Sequence, residues 1–135
     1  MTDTTTVRIT IRKKDAHQFL FRLGTAPHEL TERPGGLIEL VFGEWDHPAC
    51  HEFHFDGIPF SGFHREGESF EPHRMCGDGD ASTEIYCDRE ARLYVVVDES
   101  TGLPNAHSAR AVGEFLELER SAKERMAARV AEAAG

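Results

Sequence analysis

The sequence predicts an α+β fold, a mainly antiparallel sheet of about five to seven strands followed by one long C-terminal helix. Three observations carry this. Up to about residue 103, short apolar or period-two runs alternate with Gly, Pro and Asp punctuation, the pattern of linked strands. From about residue 106 to 133, apolar positions recur at three- and four-residue steps with no proline among them. The length, 135 residues, suffices for one core without metal or disulfide support. The expected organisation is a polar, disordered leader over 1–6 and one domain over 7–135, with a sheet region at 7–103 and a helix at about 106–133.

The first strand is "VRITIRK", with Val7, Ile9 and Ile11 on one face and Arg8, Thr10 and Arg12 on the other. "HQFLFRL" reads as a second, with Phe19, Phe21 and Leu23 facing one way. Pro27, Pro34 and the Gly35-Gly36 pair mark "GTAPHELTERPGG" as a loop. "LIELVFGEW" is a third strand, apolar enough for a sheet interior. "HEFHFDGIPFSGF" suggests a hairpin turning at Asp56-Gly57, a favoured type I′ pair. In that register Phe55 lies opposite Ile58 and Phe53 opposite Phe60, while His54 pairs with Pro59 on an edge strand. After the loop "REGESFEPHRMCGDGDAS" come "TEIYCD" and "RLYVVVD", the latter with a short buried run at Tyr94–Val97. The helix places Val112, Phe115, Leu118, Ala122, Met126, Val130 and Ala133 on one face and adds a Glu119–Lys123 pair.

The hydrophobic share of 39% and charged share of 29% fit a soluble globular protein. No run approaches the roughly 18 apolar residues of a membrane span. The start "MTDTTTVRIT" lacks the basic and apolar regions of a secretory signal, so the expected location is cytoplasmic. Three cysteines in such a chain point away from a disulfide framework and leave thiols for metal or for packing. The net charge of −9 is concentrated. Residues 1–40 carry 6 basic and 5 acidic side chains, residues 41–107 carry 4 and 14, and residues 108–135 carry 5 and 5. That field disfavours direct nucleic-acid contact, which needs Lys/Arg patches. It favours cations or a partner protein met through an acidic surface within 41–107.

The chemistry-bearing residues cluster. Residues 47–76 hold His47, His51, His54, His64 and His73 with Cys50 and Cys76, whereas the other 105 residues hold only His17, His28, His107 and Cys87. Two His-x-x-Cys units stand 22 residues apart, His47/Cys50 and His73/Cys76. Imidazole and thiolate together suit tetrahedral zinc, so these four form the expected metal set, with Cys87, His51 and His54 as substitutes. Gly77 is expected to take positive φ and carry the turn past Cys76. Asp46, Glu52, Asp78 and Asp80 are acceptors for imidazole N–H groups. A rival set, His54-x-Asp56 with His107, has the two-histidine, one-carboxylate composition of non-haem iron oxygenases, with Arg110 for a co-substrate carboxylate. "DGDASTE" begins like a calcium loop, but its sixth position is Thr83 and its twelfth Arg89. No GxSxG, Walker A or dinucleotide fingerprint is present. The chain is therefore expected to be a small acidic binding or regulatory protein, an inhibitor or decoy that occupies a basic site, with a structural zinc. The alternative is a small metalloenzyme, zinc hydrolase-like or using the iron set.

Overall fold

Val7, Ile9 and Ile11 are fully buried along β1 (Thr5–Arg12) in a computed structural model that describes residues 5–24, 26–45, 55–64 and 71–134. Five strands join β1 in one antiparallel sheet: β2 (Glu29–Arg33), β3 (Leu37–Trp45), β4 (Pro59–His64), β5 (His73–Asp78) and β6 (Ser82–Tyr86). Their order across the sheet is β2-β3-β1-β4-β5-β6. A separate small hairpin pairs β7 (Val97–Asp98) with β8 (Leu103–Pro104) and leads into the long helix. The fold is α+β, as expected, with a short N-terminal helix in addition.

That helix, α1 (Ala16–Leu23), replaces the strand expected at "HQFLFRL". Phe19 is buried and Leu20 and Leu23 pack beside it, whereas Phe21 is 83% exposed. One apolar stripe at helical spacing beats the period-two reading. Gly24 ends the helix at φ 73°, donating its N–H to the Leu20 carbonyl at 2.9 Å, a left-handed cap that glycine adopts without cost. Arg12 and Asp15, both buried, pair at 2.6 Å where β1 turns into α1.

Three other expectations change. The loop expected before β3 contains β2, an edge strand whose five residues are all exposed; with no buried face it carries no apolar alternation to read. The bend at Asp56-Gly57 exists, with Ile58 N–H bonding the Phe55 carbonyl at 2.9 Å. Only Gly57 takes positive φ there, whereas type I′ needs it at both central residues. The hairpin pairing also fails, because β4 is interior, held by β1 on one side and β5 on the other. Phe53 and His54 lie outside the described residues. Pro59 is tolerated as the first residue of β4, one position before pairing with β1 begins at Phe60. Finally, Tyr94–Val97 is exposed, because the sheet ends at β6 and only the Cys87–Leu93 bridge continues it.

The sheet has two working faces. On one, α1, Phe55 and Ile58 cover Val7, Ile9, Ile11, Leu40 and Phe60, with Phe55 stacked on Phe60 and on Phe19 at centroid distances of 3.6 and 4.7 Å. On the other, α2 (Ala106–Ala134) lies across β4, β5 and β6. Its buried positions are Phe115, Glu119, Ala122 and Met126; Val112 and Leu118 are half-buried, and Val130 and Ala133 fall outside the described side chains. No described helix is long and apolar enough to cross a membrane.

Candidate metal centre

The cross-strand register builds one row of side chains over five strands on the α1 face. Phe42 pairs with Val7, Val7 with His64, His64 with His73, and His73 with Tyr86. Phe42, Val7 and His64 are buried, His73 is half-buried, and Tyr86 is exposed. The row thus runs from apolar core to solvent, and its polar part begins where the core ends. Glu84 stands one row away on the same face, opposite Met75.

His64, His73 and Glu84 bring their ligand atoms within 4.8 Å of one another. Three adjacent strands supply them, one each, from β4, β5 and β6. The His64 and His73 rings lie 4.8 Å apart at 31°, and the Tyr86 ring lies 4.2 Å beyond His73. Donors bound to zinc at about 2.0–2.1 Å in a tetrahedron stand roughly 3.4 Å apart. Closing from the present spacing therefore takes side-chain rotation of an ångström or so, without moving the strands.

Second partners orient the set. His73 Nδ1 lies 2.7 Å from the Glu71 carbonyl oxygen. A carbonyl only accepts, so the proton sits on Nδ1 and the Nε2 lone pair is left for a ligand. This is the arrangement by which ligating histidines are fixed in tautomer and direction. Pro72, buried between Glu71 and His73, has its own carbonyl tied by the Cys87 N–H at 3.1 Å. His64 Nε2 is sealed from solvent. Glu84 is half-buried on β6, the last strand of the sheet.

The expected His-x-x-Cys pair does not converge. His73 and Cys76 belong to β5 and not to a turn, and an offset of three puts them on opposite faces of a strand. His73 faces the α1 side. Cys76 faces α2, where its Sγ lies 3.9 Å from the Phe115 carbonyl oxygen. Burial, and then the Glu119 carboxylate, pushes the Cys76 thiol up to about 12; burial pushes Cys87 up to about 11. Both are protonated, inert thiols at neutral pH. Gly77 has no positive φ. It is needed because a Cβ there would lie 2.6 Å from Phe60 Cε1 and 2.9 Å from the Ala81 carbonyl oxygen. His47, Cys50, His51 and His54 lie outside the described residues, as do Asp46 and Glu52.

The rival iron set is also taken apart. Asp56 lines a shallow hollow with Asp80, and Asp80 is bound by Arg125 at 3.0 Å. His107 is 18 residues before Arg125 on α2, about 27 Å along the axis. Asp56 and His107 therefore stand at opposite ends of the sheet's covered face, and Arg110 goes with His107.

Sequence reasoning counted His64 and gave it no role, and met Glu84 only in a failed calcium loop. A signal was present. Phe60, Gly62 and His64 are two apart, so a strand with Phe60 inward must turn His64 inward as well. Against family models, curated proteins and solved structures, the chain has no match.

Proposed function

We propose that this protein binds one divalent transition-metal ion, zinc foremost, through His64, His73 and Glu84, and leaves a coordination position for an outside donor. The single observation carrying this is the meeting of three ligand atoms from three adjacent strands within 4.8 Å. The Nδ1–Glu71 contact supports it by holding the His73 ring and leaving its Nε2 as the nitrogen able to ligate. Two imidazoles and a carboxylate are a recognised zinc set when a fourth position holds water. Such an ion supplies a hydroxide near neutral pH and polarises carbonyl or phosphoryl oxygens. The reading therefore belongs with the metalloenzyme class. The same donors suit ferrous iron, which the metal recovered from the purified protein separates from zinc.

Occupation of a basic partner site by the acidic surface rests on net charge alone. Within 41–107, Asp80 is paired by Arg125, and Asp88 and Glu90 by Arg92, so part of the acidic excess is answered internally. A salt titration of any complex checks that reading, since an electrostatic decoy weakens as salt rises.

Elemental analysis and zinc titration of untagged protein test the metal proposal. The expected result is one equivalent, lost in His73→Ala, weakened in Glu84→Gln and kept in Cys76→Ser. The cobalt-substituted protein should lack a thiolate charge-transfer band. A thiolate band, with metal lost in Cys76→Ser, would move the site to the cysteine-containing set, and metal retained in His73→Ala would overturn both.

A further inference from the structure

We infer that Tyr86 is a positioning residue of the metal set, its ring confining the His73 imidazole from the strand opposite that of His64. The inference rests on the reading of His64, His73 and Glu84 as ligands. Tyr86 is the direct cross-strand partner of His73 on β6, as His64 is on β4. The His73 ring therefore stands between two others, with centroids 4.8 Å away at His64 and 4.2 Å away at Tyr86, tilted by 31° and 40°. The two neighbours differ in what fixes them. His64 is buried in the sheet, whereas Tyr86 is 54% exposed, so its place is set by backbone more than by packing. The Cys87 N–H bonds the Pro72 carbonyl at 3.1 Å, and the Cys87–Leu93 bridge flanks the same point from the other side. Pro72 stands between His73 and Glu71, whose carbonyl oxygen lies 2.7 Å from His73 Nδ1. One backbone bond thus ties the strand carrying Tyr86 to the segment carrying both the ligand and its acceptor.

A histidine side chain turns about χ1 and χ2, and a hydrogen bond at Nδ1 holds one ring atom without fixing the ring plane. A ring packed on each side limits the rotation that is left. That ordering then does not have to be supplied when metal binds, which is how preorganisation raises affinity. Tyrosine suits the position, because its apolar body packs against an imidazole while its hydroxyl is satisfied in water. Glu84 and Tyr86 are two apart on β6 and so share a face. A single strand thereby brings both a carboxylate donor and the ring that steadies a second donor. Tyr86 acts through His73 and is not itself a ligand. Its hydroxyl should therefore be dispensable, and its ring should not.

Three variants of the full chain test this. Tyr86→Thr and, separately, Tyr86→Val remove the ring but keep residues that favour a strand, whereas Tyr86→Phe keeps the ring. Zinc titration should show affinity about tenfold weaker in the first two, the scale of losing a group that orients a ligating histidine. Tyr86→Phe should match wild type. Nitrogen-15 NMR of the metal-free imidazoles at about pH 8, where histidine is neutral, gives a second readout. His73 should stay protonated at Nδ1 in wild type and Tyr86→Phe, and exchange between tautomers in the two variants without the ring. If those two bound zinc as wild type does, the inference would be overturned and the metal reading would stand. Tyr86→Phe as weak as Tyr86→Thr would overturn it as well, by giving the role to the hydroxyl. Wild-type protein that takes up no zinc would end the metal reading instead. The tautomer comparison would then decide on Tyr86, an unchanged His73 spectrum overturning its positioning role.

Discussion

Strands β4, β5 and β6 bury polar side chains on both faces, and the two sets differ in what completes them. On the α2 face, Arg74 meets Glu119 at 2.5 Å, donates to the Ala91 carbonyl at 3.3 Å, and lies over the Phe115 ring at 5.4 Å. Cation, anion and acceptor are all supplied by the chain. On the α1 face, His64, His73 and Glu84 gather two imidazoles and a carboxylate, a set of electron-pair donors with no Lys or Arg among them. A buried pair that closes on itself specifies how a helix sits on a sheet. A set of donors on one side of the sheet gains most from a cation brought from outside. The two faces of the same three strands thus separate fold from function, and substitutions should separate them as well.

The largest expected effect is on metal affinity. His73→Ala should weaken zinc at least about a thousandfold, equivalent to about 4 kcal/mol, while the melting temperature of the metal-free protein moves little. Calorimetric titration beside thermal denaturation reads both. Arg74→Ala should reverse the pattern, costing about 2 kcal/mol of stability by removing the charged hydrogen bond to Glu119, which keeps only the looser Lys123 contact at 3.6 Å, and leaving the zinc affinity of the folded fraction unchanged. If Arg74→Ala abolished metal binding in protein that urea denaturation shows to be folded, the separation of the faces would be lost. An Arg74→Met, Glu119→Leu double variant sharpens the point: removing both charges should recover much of the lost stability.

How far the sequence carried this depended on which residues had a buried face to betray them. β1 was legible because Val7, Ile9 and Ile11 alternate over a core, and α2 because Phe115, Ala122 and Met126 repeat at helical spacing. β2 was not, since "ELTER" is exposed throughout. α1 was misread because three apolar residues at 19, 21 and 23 satisfy a strand pattern while the burial follows 19, 20 and 23. The candidate site was half legible. The density of histidines at 47–76 takes in His64 and His73 of the candidate set and leaves out Glu84. The partner of His73 was sought three residues away in sequence, where a strand turns the side chain to the other face. The partners lie across strands instead, and β5 gave little warning of being a strand, because "HRMCGD" is short of β-branched residues and ends in turn formers. Register between strands is a long-range property, set here by contacts that no local window contains.

Gly77 provides a smaller test of the packing between the two faces. Its neighbours on the α1 side are the Phe60 ring at 2.6 Å and the Ala81 carbonyl at 2.9 Å from where a Cβ would stand. Phe60 is fully buried and stacked on Phe55, so the ring has no free direction of retreat. Gly77→Ala should therefore cost about 2 kcal/mol, in the range of overpacked cores, measured by urea denaturation. The same substitution at Gly57, φ 78° with open space around it, tests backbone strain alone and should cost about 1 kcal/mol. A Gly77→Ala variant as stable as wild type would show that the Phe55–Phe60 stack yields.

The effect that is smallest at neutral pH concerns the thiol on the α2 face. Burial, with the Glu119 carboxylate adding to it, raises Cys76 to about 12 from its ordinary value of 9.0. The unfolded chain therefore releases this proton first. The stability that goes with the buried, protonated thiol is fully present below about pH 9 and is lost as the pH climbs toward about 12. Cys87, raised to about 11 by burial, adds to the same slope. Cys76→Ala should flatten the alkaline limb of a stability-against-pH curve relative to wild type, at the cost of a small offset from the lost Sγ packing. Native protein at pH 8 should hold this thiol back from alkylating reagents until it unfolds. Rapid native alkylation of Cys76, located by mass spectrometry, would mean that α2 lifts from the sheet without global unfolding. It would also return the thiol to the list of groups that a metal could reach.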